Sequence, residues 1–263
     1  MDYIILDIEF NGRKFASELP MEVIEIGAVR LDADLQTVDE FSALIKPIYF
    51  AKLNPFIKKK TGIPQEDIDV AAGFRTVIAN FLTWLGKSQE LMLVTWGGED
   101  VKRIVFDTRM HKLDDAYWMA VPYFDLLKGY IRFKNVTNDV SVEAAVADLN
   151  IVAEGSAHRA LDDARMTADV FRAIYNELDF ERKQFYVDMY TNAKERRLIK
   201  TAVKTISTQK ITPTWELFVE KYFADKIEAA DDKKVAEMQT LFAAEVAKKA
   251  TTGKPAVAVE PAE

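Results

Sequence analysis

The hydrophobic pattern of residues 1–180 switches repeatedly between the period of a strand and that of a helix. Apolar side chains alternate or form short runs in five segments that predict strands: DYIILDIEF (2–10), MEVIEIGAVRLD (21–32), FSALIKP (41–47), LMLVTWG (91–97) and MAVPYFDLL (119–127). The segment ADLQTVDE (33–40) is typical of a hairpin connection. Helical spacing is clearest in FRTVIANFLTWLG (74–86) and LDDARMTADVFRAIYNEL (161–178). Alternating strands and helices predict an α/β domain.

The pattern changes after residue 180 and becomes helical only. Apolar residues recur at helical spacing in two groups, Phe185, Met189 and Ala193, then Trp215, Phe218, Val219, Tyr222 and Phe223. The last stretch, TTGKPAVAVEPAE, has no periodicity and carries two prolines. We therefore expect a domain over 1–180, a helical extension over 181–249 and a disordered tail over 250–263.

Composition restricts the function classes. With 263 residues and 49% hydrophobic residues, the chain can bury a substantial core. No signal pattern or apolar run near the ~18 residues of a bilayer span is evident, so we expect a soluble, cytoplasmic protein without a membrane partner. The absence of cysteine excludes disulfides, thiolate zinc sites and a cysteine nucleophile. A net charge of −7 argues against broad electrostatic binding to nucleic acid but allows a local basic groove or bound metal ions.

Carboxylates accumulate where the predicted strands end. Asp7 and Glu9 point to the same side of the first strand, where they repel each other unless water or a cation lies between them. Asp100 follows the fourth strand, and GSAHRALDDARMTA supplies His158 with Asp162 and Asp163 at a helix start. Ligands of open α/β sheets gather at such strand ends. Two hard divalent cations about 4 Å apart would neutralise the acids and act on phosphate esters.

Three short motifs carry a family resemblance. LDIEFNG, VTWGGED and HRALDD resemble the three motifs of DEDDh-type 3′→5′ exonucleases. MEVIEIGAVRLD, IKPIYFAKLNPFIKKKTGIPQEDI and FLTWLG are similar to the Eri1-like branch, which includes bacterial sporulation-pathway inhibitors. The similarity covers residues 1 to about 178, in the expected order.

The resemblance implies a ribonuclease H-like fold, a five-stranded mixed sheet with an antiparallel second strand and helices on both faces. It implies metal ligation, by two Mg²⁺ or Mn²⁺ ions, through Asp7, Glu9, Asp100 and Asp163. The family's histidine–aspartate spacing selects Asp163 rather than Asp162, and His158 would be the general base. The implied reaction is hydrolysis of single-stranded nucleic acid from the 3′ end, with RNA favoured over DNA and nucleoside 5′-monophosphates as products.

The sequence leaves alternatives open for the residues that contact substrate and for the class of function. Phe10 and Trp96 could stack on or wedge the terminal nucleotide, although core packing is at least as strong an interpretation for Trp96. Met21 could line the nucleotide pocket. The Lys58–Lys60 run could guide the backbone or be a solvated face. Two other functions stay open: a catalytically weak nucleic-acid-binding or regulatory relative, and a small-nucleotide phosphohydrolase. The sequence leaves the oligomeric state open.

Overall fold

The computed structural model describes residues 1–12, 21–152, 158–224 and 231–252. The chain divides into two compact units, Met1–Tyr186 and Val187–Glu263. The first unit contains the predicted α/β domain, and the described part of the second unit is helical.

The first unit is built on a mixed sheet of five strands. The strands are β1 (Asp2–Asn11), β2 (Glu22–Leu31), β3 (Thr37–Leu44), β4 (Leu91–Thr95) and β5 (Tyr123–Asp125). Their order in the sheet is β3-β2-β1-β4-β5, with β2 antiparallel to both neighbours and β4 parallel to β1 and β5. The predicted ribonuclease H-like fold with an antiparallel second strand is confirmed.

Helices cover both faces of this sheet. They are α1 (Pro55–Thr61), α2 (Gln65–Val70), α3 (Phe74–Leu85), α4 (Glu99–Met110), α5 (Ala116–Ala120), α6 (Leu126–Lys134), α7 (Val142–Asp148) and α8 (Ala160–Ile174). The alternation of side chains along β1 sends Ile4 and Leu6 into a core shared with α3 and α4, and Tyr3 and Ile5 into a core shared with α8. Burial on both faces explains why β1 is a continuous apolar run.

The bounds predicted for the third strand are wrong. β3 begins at Thr37, inside the segment predicted as a connection, and it ends at Leu44 rather than at residue 47. As an edge strand with many half-exposed or exposed positions, β3 has a weak hydrophobic signal, and its pairing with β2 sets its limits. The fifth strand lies inside the predicted segment 119–127 and is three residues long, and the pattern did not indicate the short helices α5 and α6 on either side of it.

The described part of the second unit consists of α9 (Ala193–Thr208), α10 (Trp215–Phe218) with a following π-helical turn (Val219–Phe223), and α11 (Asp232–Thr252). It has its own apolar core, centred on Ile199, Val203, Phe218, Met238 and Phe242. Its separate core explains why the chain divides in two.

The helical spacing predicted for residues 185–193 is also wrong. Phe185 and Met189 lie outside any helix and are exposed. The helix begins only at Ala193, because Asn192 and Glu195 form a capping box in which each side chain bonds the other residue's backbone N–H.

Two further expectations concern the C-terminal tail and the absence of a membrane-spanning segment. The predicted disordered tail, 250–263, overlaps the end of α11 up to residue 252, and residues 253–263 lie outside the described residues. Within the described ranges, no helix combines the length and the apolar character needed to cross a membrane.

Candidate active site

The first strand carries two of the predicted acids past the end of its parallel neighbour. β4 pairs with β1 only from Asp2 to Ile5, so Asp7 and Glu9 lie beyond the last residue of that ladder. On the other side, β2 continues alongside them, with Asp7 opposite Gly27 and Glu9 opposite Glu25. The two carboxylates therefore lie near the C-terminal end of the central strand β1, on the side of the sheet where β4 ends and α4 begins.

The turn after β4 brings in the third acid. Gly97 has φ 105°, a conformation that glycine adopts without steric cost, and Gly98 precedes the first turn of α4. Asp100 lies in that first turn, where the helix dipole favours a negative charge. Asp100 is half-buried, and its charge contributes to raising the pKa of Asp7.

The start of α8 supplies the histidine and the last acid. His158 has a left-handed backbone (φ 69°), and its N–H donates to both carboxylate oxygens of Asp163 at 3.2 Å. Glu9, His158 and Asp163 each offer one ligand atom, and these atoms lie within 4.8 Å of one another. Asp162 instead pairs with Arg165 at 3.1 Å, so the structure brings Asp163 and not Asp162 to the other acids.

The pKa values of the four acids show how crowded the site is. Burial and the charges of Asp100, Asp163 and Glu9 raise the pKa of Asp7 well above its usual range. Burial raises the pKa values of Glu9 and Asp100 to about 7, and it raises that of Asp163 as well. The Lys60 ammonium opposes the shifts of Asp7, Glu9 and Asp163, so it lies near them.

This donor set fits divalent metal ions. Four carboxylates and one imidazole converge where β1 and β4 end, and burial, reinforced by the neighbouring acids, raises the pKa values of all four carboxyl groups. Hard cations such as Mg²⁺ and Mn²⁺ bind carboxylate oxygens and remove that repulsion. Asp7, Glu9, Asp100 and Asp163 are the residues that could hold them.

An ion pair that was not predicted, between the buried Glu25 and the partly exposed Arg159, holds the start of α8. Glu25 is 1% exposed and accepts hydrogen bonds from Nε and Nη2 of Arg159 and from the backbone N–H of Ala160. Gly27, on the same face of β2, lets the helix approach, because a Cβ there would lie 2.1 Å from the backbone nitrogen of Leu161. A glutamate inside a fully buried strand is the sequence signal that could have revealed this support.

A second unpredicted cluster fixes the loop beside the first strand. Glu22 is 1% exposed, and its carboxylate accepts from the backbone N–H groups of three consecutive residues, Ile48, Tyr49 and Phe50. Asn11 donates to the carbonyl oxygens of Phe50 and Lys52. This loop leads into α1, which carries Lys58–Lys60 on exposed positions.

The three predicted substrate contacts lie in different surroundings. Phe10 is half-buried under the guanidinium of Arg103, whose Cζ is 5.4 Å from the ring centroid. Met21 is half-buried next to Gly12. Trp96 packs against the core that β1 shares with α8, and its Nε1 donates to the carbonyl of Val140 at 2.8 Å. The surroundings of Trp96 favour the packing role, and the contacts of Phe10 and Met21 with substrate stay predictions.

The fold and this acidic site together define the class of protein. The family model described as Exonuclease (RNase_T) matches residues 4–171. The chain belongs to this exonuclease family, and the predicted resemblance to 3′→5′ exonucleases is confirmed.

Individual relatives agree with the family. The chain is 32% identical over 176 residues to the PolC-type DNA polymerase III of Thermotoga petrophila, across 64% of this chain but only 11% of that protein. It is 25% identical over 191 residues to the probable 3′-5′ exonuclease KapD of Bacillus subtilis, across 68% of this chain and 87% of KapD. Among solved structures, the nuclease domain of 3′hExo, a DEDDh family member, superposes with a TM-score of 0.61 at 22% identity, covering 72% of this chain and 97% of that one.

Proposed function

We propose that this chain is a metal-dependent 3′→5′ exonuclease that hydrolyses single-stranded nucleic acid and releases nucleoside 5′-monophosphates. The observation that carries the proposal is the convergence of Asp7, Glu9, Asp100 and Asp163 with His158 at one sheet edge. The acids belong to three separate segments, so no single local structure explains why they meet.

The chemistry requires a water to attack a phosphodiester while negative charge grows on the phosphate. Asp7, Glu9, Asp100 and Asp163 would hold two Mg²⁺ or Mn²⁺ ions, which supply a nucleophile at neutral pH and stabilise that charge. His158 would accept the proton of the attacking water at a ring nitrogen. Because Asp163 accepts from the His158 backbone N–H, the general base and one ligand would be held in register.

RNA is the favoured substrate, and the support is the resemblance of the motifs to the Eri1-like branch. The nuclease domain of 3′hExo, whose fold this chain shares, was solved bound to rAMP. The relationship to a DNA polymerase keeps DNA as the competing substrate. Matched RNA and DNA strands therefore belong in the same test.

A labelled-strand assay tests the proposal. A single strand with a 5′ label should shorten progressively from its 3′ end in Mg²⁺ or Mn²⁺, and a 3′-phosphate should protect it. Asp7→Asn should abolish shortening while the protein stays folded, since the change removes a metal ligand together with charge repulsion. The control Asp162→Asn, at the neighbouring acid that pairs with Arg165, should keep the rate.

The same assay separates the other functions. Release of phosphate from nucleotides or from p-nitrophenyl phosphate, without shortening of any strand, would identify a small-nucleotide phosphohydrolase. Strand binding without hydrolysis would identify a nucleic-acid-binding or regulatory relative. Internal fragments, or shortening from the 5′ end, would contradict the proposed polarity.

A further inference from the structure

One face of α9, in the second unit, is cationic along its whole length. Lys194, Arg197, Lys200 and Lys204 are exposed, and at 100° per residue they fall within about 120° of the helix circumference. The buried residues of the helix lie on the opposite side: Ile199, Ala202, Val203 and Ile206. We call these four cations the α9 basic face.

No acid interrupts the α9 basic face. The other residues on this arc are Ala193, Thr201 and Thr208, all exposed. Between residues 193 and 210 six cationic side chains accompany a single acid, Glu195. Glu195 is 14% exposed and already occupied, because it caps the helix start and pairs with Lys234.

The four cations also have no partner among the described residues. Other cations of the second unit are engaged: Lys234 with Glu195, Lys248 with Glu245, and Arg196 with the carbonyl oxygen of Thr191. Four unpaired like charges along about 15 Å of helix repel one another. An external polyanion relieves that repulsion.

We propose that the α9 basic face binds the sugar–phosphate backbone of the nucleic-acid strand. Lysine, arginine and threonine are the side chains that contact phosphate oxygens, and the arc carries no aromatic or amide group that could read bases. The face would thus bind independently of sequence. The choice of a nucleic acid rather than an acidic protein rests on the proposed nuclease function of the first unit.

The face would add affinity that is independent of the active site. Two sites on one chain bind one strand more tightly than either alone, because the second contact is intramolecular. Long strands would gain from the face, and a dinucleotide, with its single phosphodiester held at the active site, would not. This also reconciles the net charge of −7 with a nucleic-acid substrate.

Binding measured without hydrolysis tests the proposal on the full chain. A 5′-fluorescein-labelled U20 RNA is titrated in EDTA, from 50 to 250 mM salt, and followed by fluorescence anisotropy. The variant R197Q/K200Q/K204Q should reduce the slope of log affinity against log salt by about 2, since each phosphate contact on a single strand contributes about 0.7. At 100 mM salt its Kd should be ten- to a hundredfold weaker.

The matched control removes three exposed lysines from other helices of the same unit, in K221Q/K248Q/K249Q. It should keep the wild-type slope. Hydrolysis of a dinucleotide in Mg²⁺ should be unchanged in both variants, and circular dichroism should show native helix content. If the triple variant does not fold, the single variants should each lower the slope by about 0.7.

Three results would overturn the proposal: an unchanged slope in the basic-face variant, an equal loss in the control, or displacement of the RNA by polyglutamate as effectively as by unlabelled RNA. The proposed nuclease function fails separately, by absence of strand shortening in wild type, because the anisotropy readout does not depend on catalysis.

Discussion

At the scale of single residues, the site depends on one left-handed backbone. His158 is a non-glycine residue at φ 69°, and this conformation directs its N–H towards Asp163. The Arg159–Glu25 pair and the Ala160 N–H bond hold the next two residues against β2. These contacts of residues 158–160 therefore fix the backbone from which the imidazole projects.

The role of His158 can be separated from metal binding. His158→Asn should slow hydrolysis by about 10²–10⁴-fold, the usual contribution of a general base. Asparagine is the suitable replacement because it tolerates the left-handed conformation. Calorimetric Mn²⁺ affinity should stay near wild type, whereas Asp163→Asn should lose affinity together with rate. A ring nitrogen of His158 lies within 4.8 Å of a carboxylate oxygen of Glu9 and of Asp163. Equal losses of Mn²⁺ affinity in both variants would therefore identify His158 as a metal ligand rather than the general base.

Glu25 should act as a positioning residue. Glu25→Gln keeps an acceptor for the Ala160 N–H but turns an amide towards Arg159, so the rate at saturating substrate should fall tenfold or more while KM changes little. The matched control is Glu40→Gln, which removes the exposed pair between β3 and Arg165 of the same helix. A Glu25 variant that loses stability but keeps its rate would show a purely structural role.

At the scale of elements, α4 is docked onto β2 by a buried carboxyl. Asp107 is 2% exposed and accepts the backbone N–H of Val23 at 2.7 Å. Burial raises the pKa of Asp107 to about 7, an effect opposed by the Val23 N–H and reinforced by Glu22. The contribution of Asp107, which joins α4 to β2, to the free energy of unfolding therefore depends on pH.

The sign follows from proton binding. An unfolded aspartate titrates near 3.9, so between about pH 4 and 7 the folded state holds a proton that the unfolded state has released. The contribution of protonated Asp107 to the stability of the folded state is complete below pH 4 and is lost as pH rises through about 7. Asp107→Asn should therefore be more favourable relative to wild type at pH 8 than at pH 5, in urea unfolding with EDTA.

Asp39→Asn is the control for this measurement. The hydrogen bond from Lys87 lowers the pKa of Asp39, so its contribution is lost only as pH falls below the ordinary aspartate range. Its difference from wild type should be constant between pH 5 and 8. The acids of the active site titrate in both proteins and cancel in the comparison. A constant difference for Asp107→Asn as well would contradict the raised pKa.

At the scale of the whole molecule, the two units have separate cores, and the two surfaces proposed to bind substrate have opposite electrostatic character. The first unit collects carboxylates at a sheet edge, and the second presents the α9 basic face. Both features suit a phosphate backbone, the first through metal ions and the second directly.

Metal binding should stabilise the unit that contains the acids. A ligand at 100 times its Kd adds about 2.7 kcal/mol to the native state, which for a unit of this size raises Tm by roughly 5–10 °C. In hydrogen-exchange mass spectrometry, Mn²⁺ should slow exchange in β1 and α8 and leave α9 unchanged. Asp7→Asn should lose most of this protection. A uniform effect on both units, or none on β1, would count against the assignment of the site.

The sequence by itself determined the class of fold and the identity of the converging acids. Strand and helix periods are local consequences of which side chains must avoid water, so they can be read directly from the chain. The resemblance to the third family motif, rather than spacing alone, selected Asp163 over its neighbour, and the structure pairs that neighbour with Arg165. Where the pattern was weak, at the edge strand β3 and around Phe185 and Met189, the prediction was wrong.

Only the tertiary structure decided how the acids are held. Glu25 and Arg159 are 134 positions apart, and Glu22 reaches a loop 26 residues away, so no local pattern links them. The hydrogen bond from Trp96 to the Val140 carbonyl, and the lack of partners for the α9 cations among the described residues, depend in the same way on which groups come near. Burial, ion pairing and the pKa values that follow from them are properties of surroundings, and the surroundings exist only once the chain has folded.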